Sequence, residues 1–561
     1  MPLIYGTRSM AITRSVTRNT RSSGGGGDQA GAVASTPPTL DGQPRLPVEL
    51  LDLTISFLDE EPHALTVCAR VSRSCCHVAQ KRLFHTIAIK PPLPASPDQD
   101  AEVKAKATHK YMLLADKLQK SPQLRRQVHT LEVYLQCPGT TPDGSQLIVC
   151  PDHVSRWFAL IPVIFAILPA LAPTLQAFYL SGSGVRPGRM NTAYTACVDW
   201  LTFSPGIQKV FLEAATGPCV RMLGVGFITH VPGALVKKEG KGLDRVVTQS
   251  MIWRVGQNIH TQGTSEGRSV EPIVASRSNS DQQLERPKRV DLSARYAPVL
   301  QGIANAVSVL QLLKDTETIS VSIQQGISVD GGVQNHSTIT KTYNEAAGTL
   351  QHLWINIFEV PSPNWQSLIE HQAYDLSRLK QLRTFHRRYT FSVDVLGGCS
   401  VVPDPLPAII GTLSTLDSDS EVEVFLDARL TIRTTPYLVK RLIEPLHSTG
   451  NCDDLPMPKL APLGKIDWSS LNTVLHKSKL PSVSLRIRVM CTLEVPSRLK
   501  GTQLLGLEST NIEREILMAQ RLLLDRWKEQ LEGQLGELRR EGRCHISAFE
   551  AKEQLRAFHL F

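Results

Sequence analysis

No C-x-x-C pair occurs anywhere in this sequence, although eleven cysteines are scattered along its 561 residues. That absence removes zinc-ribbon and disulfide-framework readings, and an odd, sparse cysteine count fits buried reduced thiols of a cytoplasmic or nuclear protein. The Asn335-His-Ser337 sequon then has no glycosylation context. H-E-x-x-H is missing as well, and the glycine run at 24–27 is not followed by Lys-Ser/Thr, so neither a zinc protease nor a phosphate loop is indicated. Long apolar runs are lacking too. The stretch 157–172 is shorter than the roughly 20 residues a spanning helix needs, and Pro162 and Pro169 interrupt it. No dense Lys/Arg stripe interleaved with aromatics is present. The net charge of +9 comes from 61 basic and 52 acidic residues, and doublets such as Lys288–Arg289, Arg387–Arg388 and Arg539–Arg540 stand isolated. Neither nucleic acid nor a membrane is therefore an expected partner.

Strings that mimic active sites fail on context. Gly263-Thr-Ser-Glu-Gly267 has the G-x-S-x-G form but lies in a polar stretch without the strand–turn–helix a nucleophile elbow requires. Gly182-Ser-Gly-Val-Arg-Pro-Gly188 follows a predicted strand, yet its third glycine falls one position late and Pro187 obstructs helix packing. His129 and His352 sit at the edges of predicted strands. Phe178, Tyr179, Trp354 and Phe358 read as core or concave-face residues rather than a cofactor box. No catalytic residue, metal ligand or cofactor is expected.

What is present is organised along the chain. Residues 1–43 are rich in Gly, Ser, Thr and Pro and read as a disordered tail. Arg8, Arg14, Arg18 and Arg21 without any acidic residue resemble a transit peptide in 1–27, but apolar residues there are sparse. Between about 100 and 500 a helical stretch, a leucine-bearing turn and a β-type run recur loosely. Ser121–Val133, Leu168–Leu180, Ala347–Ile355 and Leu379–Phe385 each show it, and later units end in Val422–Leu426 and Val483–Val489. Spacings of 47 from Leu131 to Phe178, 33 on to Phe211, and 32 from Leu353 to Phe385 exceed the roughly 20–29 of a standard leucine-rich repeat. The reading is an irregular α/β solenoid, in which each unit buries its apolar face on the next. The polar segment 260–292 is expected to be a disordered insertion. Thr510-Asn-Ile-Glu513 has capping-box form and opens a C-terminal helical segment, 510–561, with a stripe at Ile512, Ile516, Leu523, Trp527, Leu531, Leu535 and Leu538. Interruption at Gly533 and Gly536 favours packing on the last repeats over a coiled-coil dimer.

The N-terminal module, 44–90, carries the functional argument. Pro47 suits a first helical turn, after which Leu51, Ile55 and Leu58 share one face. Asp59-Glu-Glu-Pro62 ends that helix. A second helix presents Leu65, Cys68 and Val71, and Ser72 is placed to cap a third with Cys75, Ala79 and Leu83 inward. Three short helices hardly bury a self-sufficient core, so an apolar face left for a partner is expected.

The series Leu46-Pro47-x-Glu49-Leu50-Leu51, Ile55, Phe57-Leu58, Leu65-x-x-Cys68-x-x-Val71-Ser-Arg73 and Leu83-Phe84 resembles the F-box, and with the irregular leucine-rich units behind it the chain resembles F-box proteins of the fungal type. The resemblance implies a three-helix F-box on a leucine-rich-repeat-like α/β solenoid with a C-terminal helix. It implies a non-catalytic adaptor that joins the Skp-type linker and cullin scaffold of an SCF ubiquitin ligase to a protein substrate. Leu46, Pro47, Leu50, Leu51, Ile55, Leu58, Val71 and Cys75 would then form the linker-binding set. Cys75 departs from the family, which commonly has Trp there; a buried ring lost at that position removes about 1–3 kcal/mol of contact. The alternative is a repeat-based interaction scaffold with a vestigial F-box.

Overall fold

The computed structural model describes residues 47–58, 61–91, 100–135, 160–182, 198–236, 242–249, 253–254, 286–294, 297–309, 311–325, 329–359, 373–394, 406–417, 421–433, 467–477, 482–494 and 509–549. The fold is α/β, and it begins with three helices: α1 (Val48–Ser56), α2 (Pro62–Val71) and α3 (Arg73–His85). Pro47 and Pro62 mark the first two starts, where a missing N–H leaves no helical bond unmade. At the third, the Ser72 hydroxyl accepts from the Cys75 N–H at 3.1 Å. Ile55, Leu65 and Val78 form the core of this head, with Leu51, Leu58, Cys75 and Leu83 packed around them. Arg82 ties α3 to α1, donating to the Asp52 carboxylate at 3.0 Å and to its carbonyl at 3.1 Å.

α3 runs without a break into a parallel sheet of twelve strands that lie side by side in chain order. They are β1 (Thr86–Ile89), β2 (Thr130–Tyr134), β3 (Ala177–Ser181), β4 (Met222–Gly226), β5 (Arg245–Gln249), β6 (Arg289–Ala294), β7 (Thr318–Gln325), β8 (His352–Glu359), β9 (Thr384–Asp394), β10 (Glu423–Arg433), β11 (Ser484–Glu494) and β12 (Cys544–Phe549). The backbone ladder also reaches one residue ahead of the strands, as where the N–H groups of Glu317, Gln351, Arg383 and Glu423 bond the carbonyls of Lys288, Glu317, Gln351 and Arg383. Register then follows the two-residue alternation of side chains. One row across the sheet reads Ile87, Leu131, Phe178, Leu223, Val246, Val290, Ile319, Leu353, Phe385, Val424, Leu485 and Cys544, all of it buried. Two residues on, Ile89, Val133, Leu180, Val225, Leu292, Val321, Ile355, Leu426, Ile487 and Ile546 repeat the pattern. These rows bind the helices on that side into one continuous core.

The helices are α4 (Asp100–Lys120), α5 (Pro122–Gln127), α6 (Ile161–Leu171), α7 (Pro205–Ala215), α8 (Ala297–Val309), α9 (Val329–Glu345), α10 (Leu406–Leu413) and α11 (Ser469–Lys477). α6 is the apolar run of 157–172: Val163, Ile164, Ile167, Leu168 and Leu171 are buried in the core. No helix among the described residues is long and apolar enough to cross a membrane.

Four expectations need correction. Phe211 is not a strand residue; it lies on α7, its ring 6.3 Å from that of Phe178, and the strand partner of Phe178 is Leu223. A buried aromatic suits either element, so spacing alone misassigned it. The polar segment 260–292 overruns β6, because Arg289, Asp291 and Ser293 alternate with buried Val290, Leu292 and Ala294; 260–285 lie outside the described residues, as do 1–46. The C-terminal helix α12 (Ser509–Gln534) starts just ahead of Thr510, which is therefore not its cap. Finally, 510–561 is not helical throughout. After α13 (Gly536–Arg540), Gly542 turns the chain at φ 71°, and β12 closes the sheet beside β11. α12 packs on this end through Ala519, Leu523, Leu524, Trp527 and Leu531, and Leu535 and Leu538 extend the buried stripe.

Candidate docking surfaces

The head has too little interior for its apolar content. α1 carries two apolar stripes: Leu51, Ile55 and Leu58 pack inward, while Leu50, Leu53 and Phe57 point out. On α2, Leu65 is buried, whereas Val67 and Val71 are exposed. These outward residues are five of the eleven large apolar side chains that stand exposed among the described residues, and Phe57 at 78% is the most exposed of them. A helix apolar on both faces within so small a unit has a second face to cover.

Of the set read from sequence, Leu46 lies outside the described residues. Pro47, Leu50 and Val71 are exposed. Ile55 is 3% exposed and belongs to the core, where it holds α1 in place. Leu51, Leu58 and Cys75 are half-buried against that core, so Cys75 stands where a larger ring would meet Ile55 and its neighbours. Leu53, Phe57 and Val67 stand exposed beside these residues but outside that set. The step 50, 53, 57 is itself a helical stripe and was legible beside the inward one.

The second surface is the other face of the sheet, where the intervening rows carry most of the sheet's polar and aromatic side chains, with Ala88, Gly224 and Val247 among them. On β8–β11 one row reads Trp354, His386, Phe425 and Arg486, and the row two residues on reads Asn356, Arg388, Asp427 and Arg488. The His386 ring meets Trp354 edge-on at 4.4 Å and Phe425 at 6.1 Å, and the Arg486 guanidinium lies 5.6 Å over Phe425. Asp427 is the hub. It accepts from Arg488 through both oxygens, at 2.7 Å on Oδ2, and from Arg388 at 3.5 Å, while His386 Nε2 lies 2.8 Å away.

Burial pushes the Asp427 pKa up, but bonds from His386 and Arg488 outweigh it and hold the carboxyl far below its usual range. Burial lowers His386, with Arg488 and Arg388 adding to it and Asp427 opposing. Nearer the N-terminus, Asp291 on β6 is shared in the same way by Arg245 and Arg289. Gly224 occupies the same row on β4; any Cβ there would collide with the Tyr179 ring, which lies across it.

Arg387 points the other way, into the core row, where its guanidinium stacks on Tyr374 and donates to the Tyr374 hydroxyl at 3.1 Å. No cluster of three metal-ligating side chains occurs among the described residues. Burial pushes the Cys491 and Cys544 thiols up to about 12 and about 11, which leaves them unreactive. No protein-family model matches the chain, and no curated protein matches it.

Proposed function

We propose that this chain is the substrate-recognition adaptor of an SCF-type ubiquitin ligase. On this reading the three-helix head is an F-box that docks on the Skp-type linker, itself held by the cullin scaffold. The sheet is the inner face of an irregular leucine-rich-repeat-like solenoid whose polar rows hold a protein target. Twelve parallel strands in unbroken chain order support the solenoid, because stacking each unit on the last produces that order. The observation that carries the function is the outward apolar set on α1 and α2, Leu50, Leu53, Phe57, Val67 and Val71, on a head with three core residues. The chemistry is the ligase's: the adaptor raises the concentration of target lysines near a loaded conjugating enzyme.

The test is capture of purified Skp-type linker by the full chain. Capture that is lost in Leu50→Asp and in Phe57→Asp, with an unchanged melt, supports the adaptor. Failure of the intact chain to capture the linker overturns it and leaves a repeat-based scaffold with a vestigial F-box. Cys75 in place of the family's Trp is the observation favouring that second reading.

A further inference from the structure

We infer that the polar face of the sheet takes an acidic, extended segment of its protein partner, rich in Asp and Glu, laid across the strands from β5 to β11. This rests on the reading of that face as the target-holding surface.

The argument is one of depth as well as sign. In each ion-paired group on this face the carboxylate is the deeper member. Asp291 is 11% exposed against 29% and 27% for Arg245 and Arg289. Asp427 is 1% exposed against 20% for Arg488, and Glu423 is 28% against 54% for Arg486. Arg388 and His386 lie as deep as the acids, at 5% and 2%; Arg245, Arg289, Arg486 and Arg488 form the outer layer over them. Arg245, Arg289 and Arg486 each meet their carboxylate through Nε, and a planar fork bonded on that edge carries terminal N–H groups on another, the geometry suited to a second carboxylate. Between the two arginine groups the face offers the half-buried ring of Trp354, over which an extended backbone can pass.

The span sets a length. β6 and β11 are five strand steps apart, which at about 4.8 Å per step is about 24 Å. An extended chain rises about 3.3 Å per residue, so about seven residues bridge the two groups. A shorter acid reaches one group only and forgoes the gain of a linked second contact.

The experiment is fluorescence polarisation of the full chain with labelled peptides: an oligo-glutamate of about a dozen residues, the same length of oligo-glutamine, and tetraglutamate. Oligo-glutamate is expected to bind with strong salt dependence and at least about tenfold more tightly than the other two. Arg486→Gln and Arg245→Gln are each expected to weaken it about tenfold, as loss of one charge-assisted contact does, with unchanged melts showing that folding is intact. Oligo-glutamine or tetraglutamate binding as tightly as oligo-glutamate overturns the proposal, as do variants that bind like the parent. Linker capture is measured on the same samples. Capture without acid binding sinks this inference alone, and acid binding without capture sinks the adaptor reading alone.

Discussion

The head and the sheet solve the same problem with opposite results. Both are assembled from short amphipathic elements of the same chain. The head buries four apolar residues, Ile55, Leu65, Val78 and Ala79, and leaves five large ones outside. The sheet stacks twelve strands on one another, so each unit's apolar face finds a neighbour and two whole rows lie at or near zero exposure. Repetition removes surface that a lone three-helix unit cannot. The head's uncovered face is therefore a property of its size, and on the proposed reading a partner would complete it. The sheet's second face differs in kind: it carries charges already paired with one another, so a partner of the proposed kind would be chosen by sign and spacing.

The contrast can be broken most forcefully at Asp427. Asp427→Asn leaves Arg388 and Arg488 without their shared carboxylate in a buried site, and is expected to cost about 3–5 kcal/mol. The loss should appear as a lower denaturant midpoint for the sheet, while amide exchange in α1–α3 stays as it was. Ile55→Ala tests the other side. Truncating one of the three core residues of the head should cost about 2–5 kcal/mol locally, raising proteolysis and amide exchange in α1–α3 without moving the unfolding transition of the sheet. A single transition that shifts equally for both variants would show that the two regions are one cooperative unit.

Acidification should act on the sheet. Burial holds His336, His352 and His386 below the usual histidine range, so below about 6.5 the unfolded chain takes up protons that the folded one refuses. Their stabilisation is complete above that pH and falls as pH drops toward the lowered folded values. Asp427, depressed instead, contributes above about 3.9 and loses its share only below it. A melt series from neutral to about pH 5 should decline, and His386→Gln should flatten the decline; an unchanged slope in that variant would remove His386 from the account. The smallest effect is expected at Leu53→Ser, whose exposed side chain should change stability by no more than about 0.5 kcal/mol while weakening linker capture.

Much of this was readable from local pattern. Ser72 reads as a cap because a hydroxyl precedes an amphipathic run, and it is one. The Leu131–Phe178 and Leu353–Phe385 spacings held because strand residues on one row must recur once per unit. Phe211 failed because a single buried ring carries no period of its own. The charged face was not assembled beforehand at all. Arg486 and Arg488 alternate with Leu485 and Ile487, so a shared face was visible, but Asp427 stands 61 residues from Arg488 and His386 stands 102 away.

The amino-acid order by itself thus determined the starts of α1, α2 and α3 and the inward row of strands such as β2, β3, β8 and β9. That is because capping, proline placement and two- or three-to-four-residue periodicity act within a few residues. Which charges share a carboxylate, and which apolar stripe of α1 is left outside, was decided by assembly. Lateral register between parallel strands is set by backbone bonds across distant segments, and a stripe counts as exposed only after the fold has used up its covering surfaces.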